Sequence, residues 1–163
     1  MRIVLQGIDA LDQHPKVVFG SLAVAAMVGC SNNSTLAPEQ IPDVPVFVQI
    51  NLNNPQYQLL VLPGTHLYIE NAGYRGILIW HDWDGSYRAF DRACSYHPHA
   101  KCALIHMDSS DAFMKCGHYE QAQWMPCCAS RFDLTGWPTQ GPATLPLRQY
   151  TVHFERSLLI IQN

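Results

Sequence analysis

The sequence predicts an all-β fold, an antiparallel β-sandwich or small barrel spanning residues 46–163. Three observations point to it. Apolar and polar residues alternate with period two over residues 46–52, Gly-, Asp- and Pro-bearing turns separate short apolar runs, and no segment sustains a helical stripe for more than a turn or two.

Taken in order, Val46, Val48, Ile50 and Leu52 alternate with Phe47, Gln49 and Asn51, so this strand has one face to bury. Asn54 supplies a cap and Pro55 a first-turn proline for a short helix, Pro55 to Leu62, which Pro63-Gly64 stops. Leu67–Glu70 and Ile77–Trp80 are strands joined by a turn around Gly73 and Gly76. Asp84-Gly85 marks a hairpin leading into Tyr87–Phe90. Thr151–Phe154 and Leu158–Ile161 form a last pair around Glu155-Arg156-Ser157.

At 163 residues the chain has room for one domain with a real core. A net charge of -3 with 14% charged residues leaves no basic face for nucleic acid. Six cysteines are unusual in a reduced compartment unless they bind metal.

The first 29 residues read as an export signal. Arg2 and Lys16 precede the apolar run Val17–Gly29, which is shorter than the about 20 residues that span a bilayer and matches a secretory h-region. The run ends in Met27-Val28-Gly29-Cys30 and resembles the lipobox of bacterial lipoproteins, in which the cysteine is lipid-modified and becomes the mature N-terminus. This implies a signal peptide over 1–29, a Pro-rich flexible tether over 30–45 and a domain over 46–163. The expected partner is a membrane, reached through a lipid on Cys30, at the bacterial cell envelope on the periplasmic side or the cell surface.

Candidate chemistry is confined to two cysteine segments. "ACSYHPHAKC", Ala93 to Cys102, offers two cysteines and two histidines; "MPCCASRFDLTG", Met125 to Gly136, offers two adjacent cysteines before a short strand and a Gly turn. "GPATLPLRQY", Gly141 to Tyr150, follows as a Pro-rich loop. Cys116 lies apart in "KCGHYE", spaced as Cys-x-His with His118; with no assigned partner it reads either as a buried thiol or as a displaced ligand.

The stretch from Asp91 to Asn163 resembles a Rieske-type iron–sulfur domain. Ser130-Arg131-Phe132-Asp133-Leu134 and Gly136 match that family's aromatic strand and turn, and Gly141-Pro142-Ala143, Pro146-Leu147 and Tyr150 match its proline loop. The resemblance implies a Rieske-type sandwich with the two cysteine loops at one tip. It also implies a [2Fe-2S] cluster, with two thiolates on one iron and two imidazoles on the other. Cys94 matches the first-loop cysteine, but Tyr96 stands at the first histidine position, with His97 one residue away. In the second loop Met125 falls at the cysteine position and Cys128 at the histidine. A thioether is a weak, soft donor, and a thiolate in place of imidazole adds negative charge and lowers the potential. The ligand set so implied is Cys94 and Cys128, with His97 as the imidazole.

The resemblance further implies a disulfide between Cys102 and Cys127 that ties the loops together. Cys94 and Cys128 would then face each other, as metal ligands or as a second disulfide. A zinc site on Cys94, Cys102, Cys127 and Cys128 is the remaining chemical option, although Cys127-Cys128 lacks the usual two-residue spacer. His99, His106 and His153 read as surface or hydrogen-bonded residues, and Trp80, Trp83, Trp124 and Trp137 as packing aromatics. The function expected is electron transfer to an unidentified redox partner by a tethered domain with an altered-ligand cluster. The alternative is a cluster-less, disulfide-stabilised domain serving as a binding or accessory module. The chain is too short to add the catalytic iron domain of an oxygenase, so enzymatic activity by this chain alone is not expected.

Overall fold

The computed structural model describes residues 40–163. The expected signal segment, Cys30 and most of the expected tether lie outside them. The described residues form an all-β fold of two antiparallel sheets. Strands β1 (Phe47–Asn51), β2 (Thr65–Ile69), β3 (Ile77–His81), β4 (Tyr87–Asp91), β9 (Gln149–Glu155) and β10 (Leu158–Gln162) make a six-stranded sheet in the order β1-β10-β9-β4-β3-β2. Strands β5 (Leu104–Met107), β6 (Met114–Glu120), β7 (Gln123–Phe132) and β8 (Pro138–Gln140) make a second sheet in simple meander order.

Burial follows the alternation in the sequence. Val46, Ile50 and Leu52 are buried while Phe47, Gln49 and Asn51 are exposed. The helix expected at Pro55–Leu62 is a 3-10 helix, Pro55–Val61, whose Asn54 side chain accepts from the Gln56 N–H and whose Leu60 plugs the core. β3 is buried on both faces, which explains its continuous apolar run Ile77-Leu78-Ile79-Trp80. Ile77 and Ile79 enter one core with Ile50, Ala89, Tyr150, Leu159 and Ile161. All of these residues come from a single sheet, so that sheet curls around its own core. Leu78 and Trp80 enter the other core, which lies between the sheets and includes Phe90, Ile105, Met114, Phe132, Cys94 and Cys116.

Two features differ from the sequence reading. β5, β6 and the first part of β7 are strands that the sequence pattern does not announce, whereas the short strand expected at Ser130–Leu134 is the end of β7. The hairpin turns at Gln121-Ala122, both in the left-handed region (φ 47° and 64°), a turn that usually announces itself with Asn-Gly. The second cysteine segment, Pro126–Ser130, lies within β7. Its pairing is nonetheless interrupted. Lys115 faces Arg131 and Gly117 faces Pro126, so Cys116 alone stands opposite the four residues Cys127 to Ser130. The segment behaves as a large bulge on a strand.

The described end of the expected tether is held on the domain. The Asn163 side chain accepts from Val46 N–H and donates to Asp43 and the Val44 carbonyl, while Arg148 pairs with Asp43 and donates to the Pro42 carbonyl.

Gly136 ends the turn that leads into the proline loop, and its carbonyl accepts from Leu147 N–H at 2.9 Å. Its φ is +87°, and a Cβ there would lie 2.7 Å from the Phe90 ring. Gly136→Ala therefore combines left-handed strain with overpacking, and is expected to lower stability by about 2–4 kcal/mol. Urea unfolding of the variant beside the parent checks this.

Candidate metal centre

The site begins at the end of β4. Asp91 is fully buried, and its carboxylate accepts four hydrogen bonds: from the N–H groups of Tyr74 (2.6 Å), Arg75 (3.2 Å) and Ala93 (2.8 Å) and from the Tyr150 hydroxyl (2.7 Å). The contact to Ala93, two residues on, bends the chain as it leaves the strand. Cys94 follows, fully buried, with its N–H on the Ala103 carbonyl at 3.1 Å.

The cysteine segment that follows is clamped from outside. The Arg75 guanidinium donates to the carbonyls of Pro98 (3.4 Å), Ala100 (3.0 Å) and Lys101 (2.8 Å). The Tyr74 hydroxyl bonds His99 Nδ1 at 2.7 Å. These side chains belong to the turn whose backbone Asp91 holds. One carboxylate thus fixes both the start of the segment and the clamp over its middle.

The second segment is brought alongside by a disulfide and by the proline loop. Cys102 and Cys127 are joined, with Cα atoms 5.3 Å apart and a sequence separation of 25. Closing a loop of that length contributes about 3 kcal/mol in the chain-entropy account. Ser130, buried on β7, accepts from the Cys128 thiol (3.2 Å) and from Ala143 N–H in the proline loop (2.9 Å). Ser95 donates to the Leu145 carbonyl at 2.6 Å. Segments 94–102, 126–130 and 141–147 are therefore mutually bonded.

Three thiols meet where these segments join. Cys94, Cys116 and Cys128 bring their sulfurs within 4.8 Å of one another, and Cys94 and Cys128 are 3.8 Å apart without a disulfide. A hydrogen bond from the Cys116 thiol, assisted by the N–H groups of Tyr96 and His97 and by Cys128, holds the Cys94 pKa down to about 6. The same contact with Cys94, together with burial, pushes the Cys116 thiol well above its usual range. Cys94 gives up its proton readily, and Cys116 retains its own.

The resemblance assigns no role to Cys116, which the structure nonetheless places at the third corner. A signal for it existed. Met114, Lys115 and Cys116 alternate inward, outward, inward at the start of β6, which turns Cys116 into the core. His97 is exposed, its ring centroid 4.0 Å from that of Tyr96, and it is not part of the trio. With Cys102 and Cys127 joined to each other, the zinc set that needed both is not available.

The donor set of a two-cysteine, two-histidine cluster is not assembled. Its four matching positions hold Cys94, Tyr96, Met125 and Cys128, and Tyr96 and Met125 are exposed. Only Cys94 and Cys128 face each other, and the third donor beside them is Cys116.

A second polar cluster flanks this core and reads as structural. Buried Arg92 donates to Glu70 (2.6 Å) and the Ile105 carbonyl (3.2 Å), lies over the Tyr68 ring, and has its Nη2 3.1 Å from His106 Nε2. Burial and the Arg92 charge hold the His106 pKa down to about 4, so the ring is neutral and accepts from Arg92.

No protein-family model and no curated protein matches the chain. Among solved structures it is similar to the ferredoxin of carbazole 1,9a-dioxygenase from Nocardioides aromaticivorans IC177, at 26% identity over 73% of this chain and 97% of that one (TM-score 0.43). It is also similar to a putative NADH-dependent nitrite reductase small subunit from Mycobacterium tuberculosis, at 13% identity over 74% and 97% (TM-score 0.42).

Asp91→Asn would turn an amide N–H₂ toward donors that now meet carboxylate oxygens. The variant is expected to lose about 2–4 kcal/mol of stability, since buried donors are left unsatisfied. It should also loosen the segment around Cys94, seen as faster modification of that thiol by a small alkylating reagent. Denaturant unfolding and timed alkylation read the two effects separately.

Proposed function

We propose that the domain is an electron-transfer module of Rieske-like architecture whose redox-active metal is held by thiolates. The observation that carries this reading is the meeting of Cys94, Cys116 and Cys128, drawn from the β4 exit, β6 and β7, at one buried point. The sequence likeness of Asp91–Asn163 to Rieske-type domains supports the frame. Thiolates favour soft and borderline transition metals, and a cation relieves the charge that a second ionised thiol would bring into this core. The chain's own contribution is to fix the sulfurs: Asp91 sets Cys94, Ser130 orients Cys128, and the Cys102–Cys127 bond keeps the two segments together.

A second reading, a cluster-less module stabilised by disulfides, is favoured by that same bond and by the 3.8 Å between Cys94 and Cys128. Elemental analysis of anaerobically prepared protein, with its visible spectrum, separates the two. The expected result is stoichiometric transition metal with thiolate-to-metal absorption, lost in Cys128→Ala at unchanged far-UV circular dichroism. Metal-free protein in which Cys94 and Cys128 have become a disulfide would support the accessory-module reading.

The proposed setting is the bacterial envelope, with the domain anchored by a lipid on Cys30. The short apolar run ending in Gly29-Cys30 supports this. Cys30→Ala should move the protein from the membrane fraction to the soluble fraction. Retention in the membrane, or a mature terminus elsewhere, would end the lipoprotein reading.

A further inference from the structure

Resting on the thiolate-centre reading, we infer that the trio holds one thiophilic metal ion in a four-coordinate site whose last position is open to a small exogenous ligand. The first support is spacing. A tetrahedral ion with metal–sulfur bonds of about 2.3 Å sets its sulfurs about 3.8 Å apart. Cys94 and Cys128 already stand 3.8 Å apart, and every sulfur pair of the trio falls within 4.8 Å. Three thiols drawn to a single point suit one ion better than the two ligand pairs of a two-iron cluster.

The second support is the missing fourth protein donor. Among the described residues, no histidine, carboxylate or further thiol joins the group. Three protein ligands with one vacant position are the pattern of reactive metal sites, while structural sites are closed by four.

The third support is access. A cleft of about 280 Å³ opens beside β6 and β7, and both Cys116 and Cys128 line it. It lies where four residues of β7 oppose Cys116 alone. It has room for several waters, each taking about 30 Å³ of liquid volume, or for one small ligand. Lys115, Arg131 and Asp108 share its wall. Lys115 is bonded to Asp108 at 2.8 Å, and Arg131 lies over the Phe113 ring. With Lys115 bonded to Asp108, Arg131 gives the wall its net positive charge, which favours a small anion as the fourth ligand.

Cobalt(II) titration of the anaerobically prepared full chain tests this, with azide as the probe for the open position. The expected result is one cobalt per chain, thiolate-to-metal absorption in the near ultraviolet, and intense visible d–d bands that shift when azide is added. Cys116→Ala should weaken cobalt binding at least a hundredfold, with circular dichroism and an intact Cys102–Cys127 bond showing that the fold survives. Cobalt bands unmoved by azide would overturn the open position, and unchanged affinity in folded Cys116→Ala would overturn the trio. Two irons with acid-labile sulfide in the isolated protein would overturn the single-ion site while leaving the thiolate-centre reading in place. A reduced chain that binds no metal would overturn both.

Discussion

The architecture around the thiols hangs on one buried carboxylate. An unpaired charge inside a protein is costly, and Asp91 is tolerated because four donors converge on it. The four donors serve three structural tasks. Tyr74 and Arg75 bring the β2–β3 turn, Ala93 brings the exit toward Cys94, and Tyr150 brings β9. The last matters because β4 and β9 share only two residue pairs, Ala89 with Tyr150 and Phe90 with Gln149. That short seam joins the two halves of the six-stranded sheet, and the phenol-to-carboxylate bond reinforces it. Gly73 is the necessary neighbour: a Cβ there would come within 2.7 Å of the carboxylate oxygen.

From that fixed point the thiols follow by packing. Cys94 leaves β4 into the core between the sheets, and Cys116 reaches the same core from β6 through ordinary strand alternation. Cys128 arrives only because β7 carries extra residues opposite Cys116. A regular β7 would have kept its side chains in step with β6 and left no cleft. The disulfide and the Ser130 bonds hold this irregular stretch in place, where ladder hydrogen bonds are interrupted.

Much of the fold was legible because alternation and turn chemistry agree with tertiary burial. The strand at Phe47–Asn51 lies where alternation put it, and the double-sided strand at Ile77–His81 and the final pair lie where short runs flanked by turn residues put them. The β6–β7 hairpin was hidden for two physical reasons. Its left-handed turn uses Gln121 and Ala122 in place of the glycine or asparagine that mark such turns, and its long bulge breaks the period of two. The site was half legible for the same reason. Cys94 and Cys128 sit at motif positions and come together, whereas Cys116 belongs to the hairpin that the pattern concealed. His97, adjacent in sequence to the motif, faces outward because the segment bends over its clamped carbonyls.

The side chain of Asn163 acts as a latch between the last strand and residues 43–46. Arg148 grips the same stretch from the proline-loop side. In mechanical terms, a load arriving along the chain from before residue 42 meets these side-chain contacts first. The β1–β10 ladder lies next in line. The thiols are carried by the β4 exit, β6 and β7, none of which takes part in the latch. Asn163 directs such a load into the last strand, whereas Arg148, whose carbonyl accepts from Asp91 N–H, shares it with the end of β4.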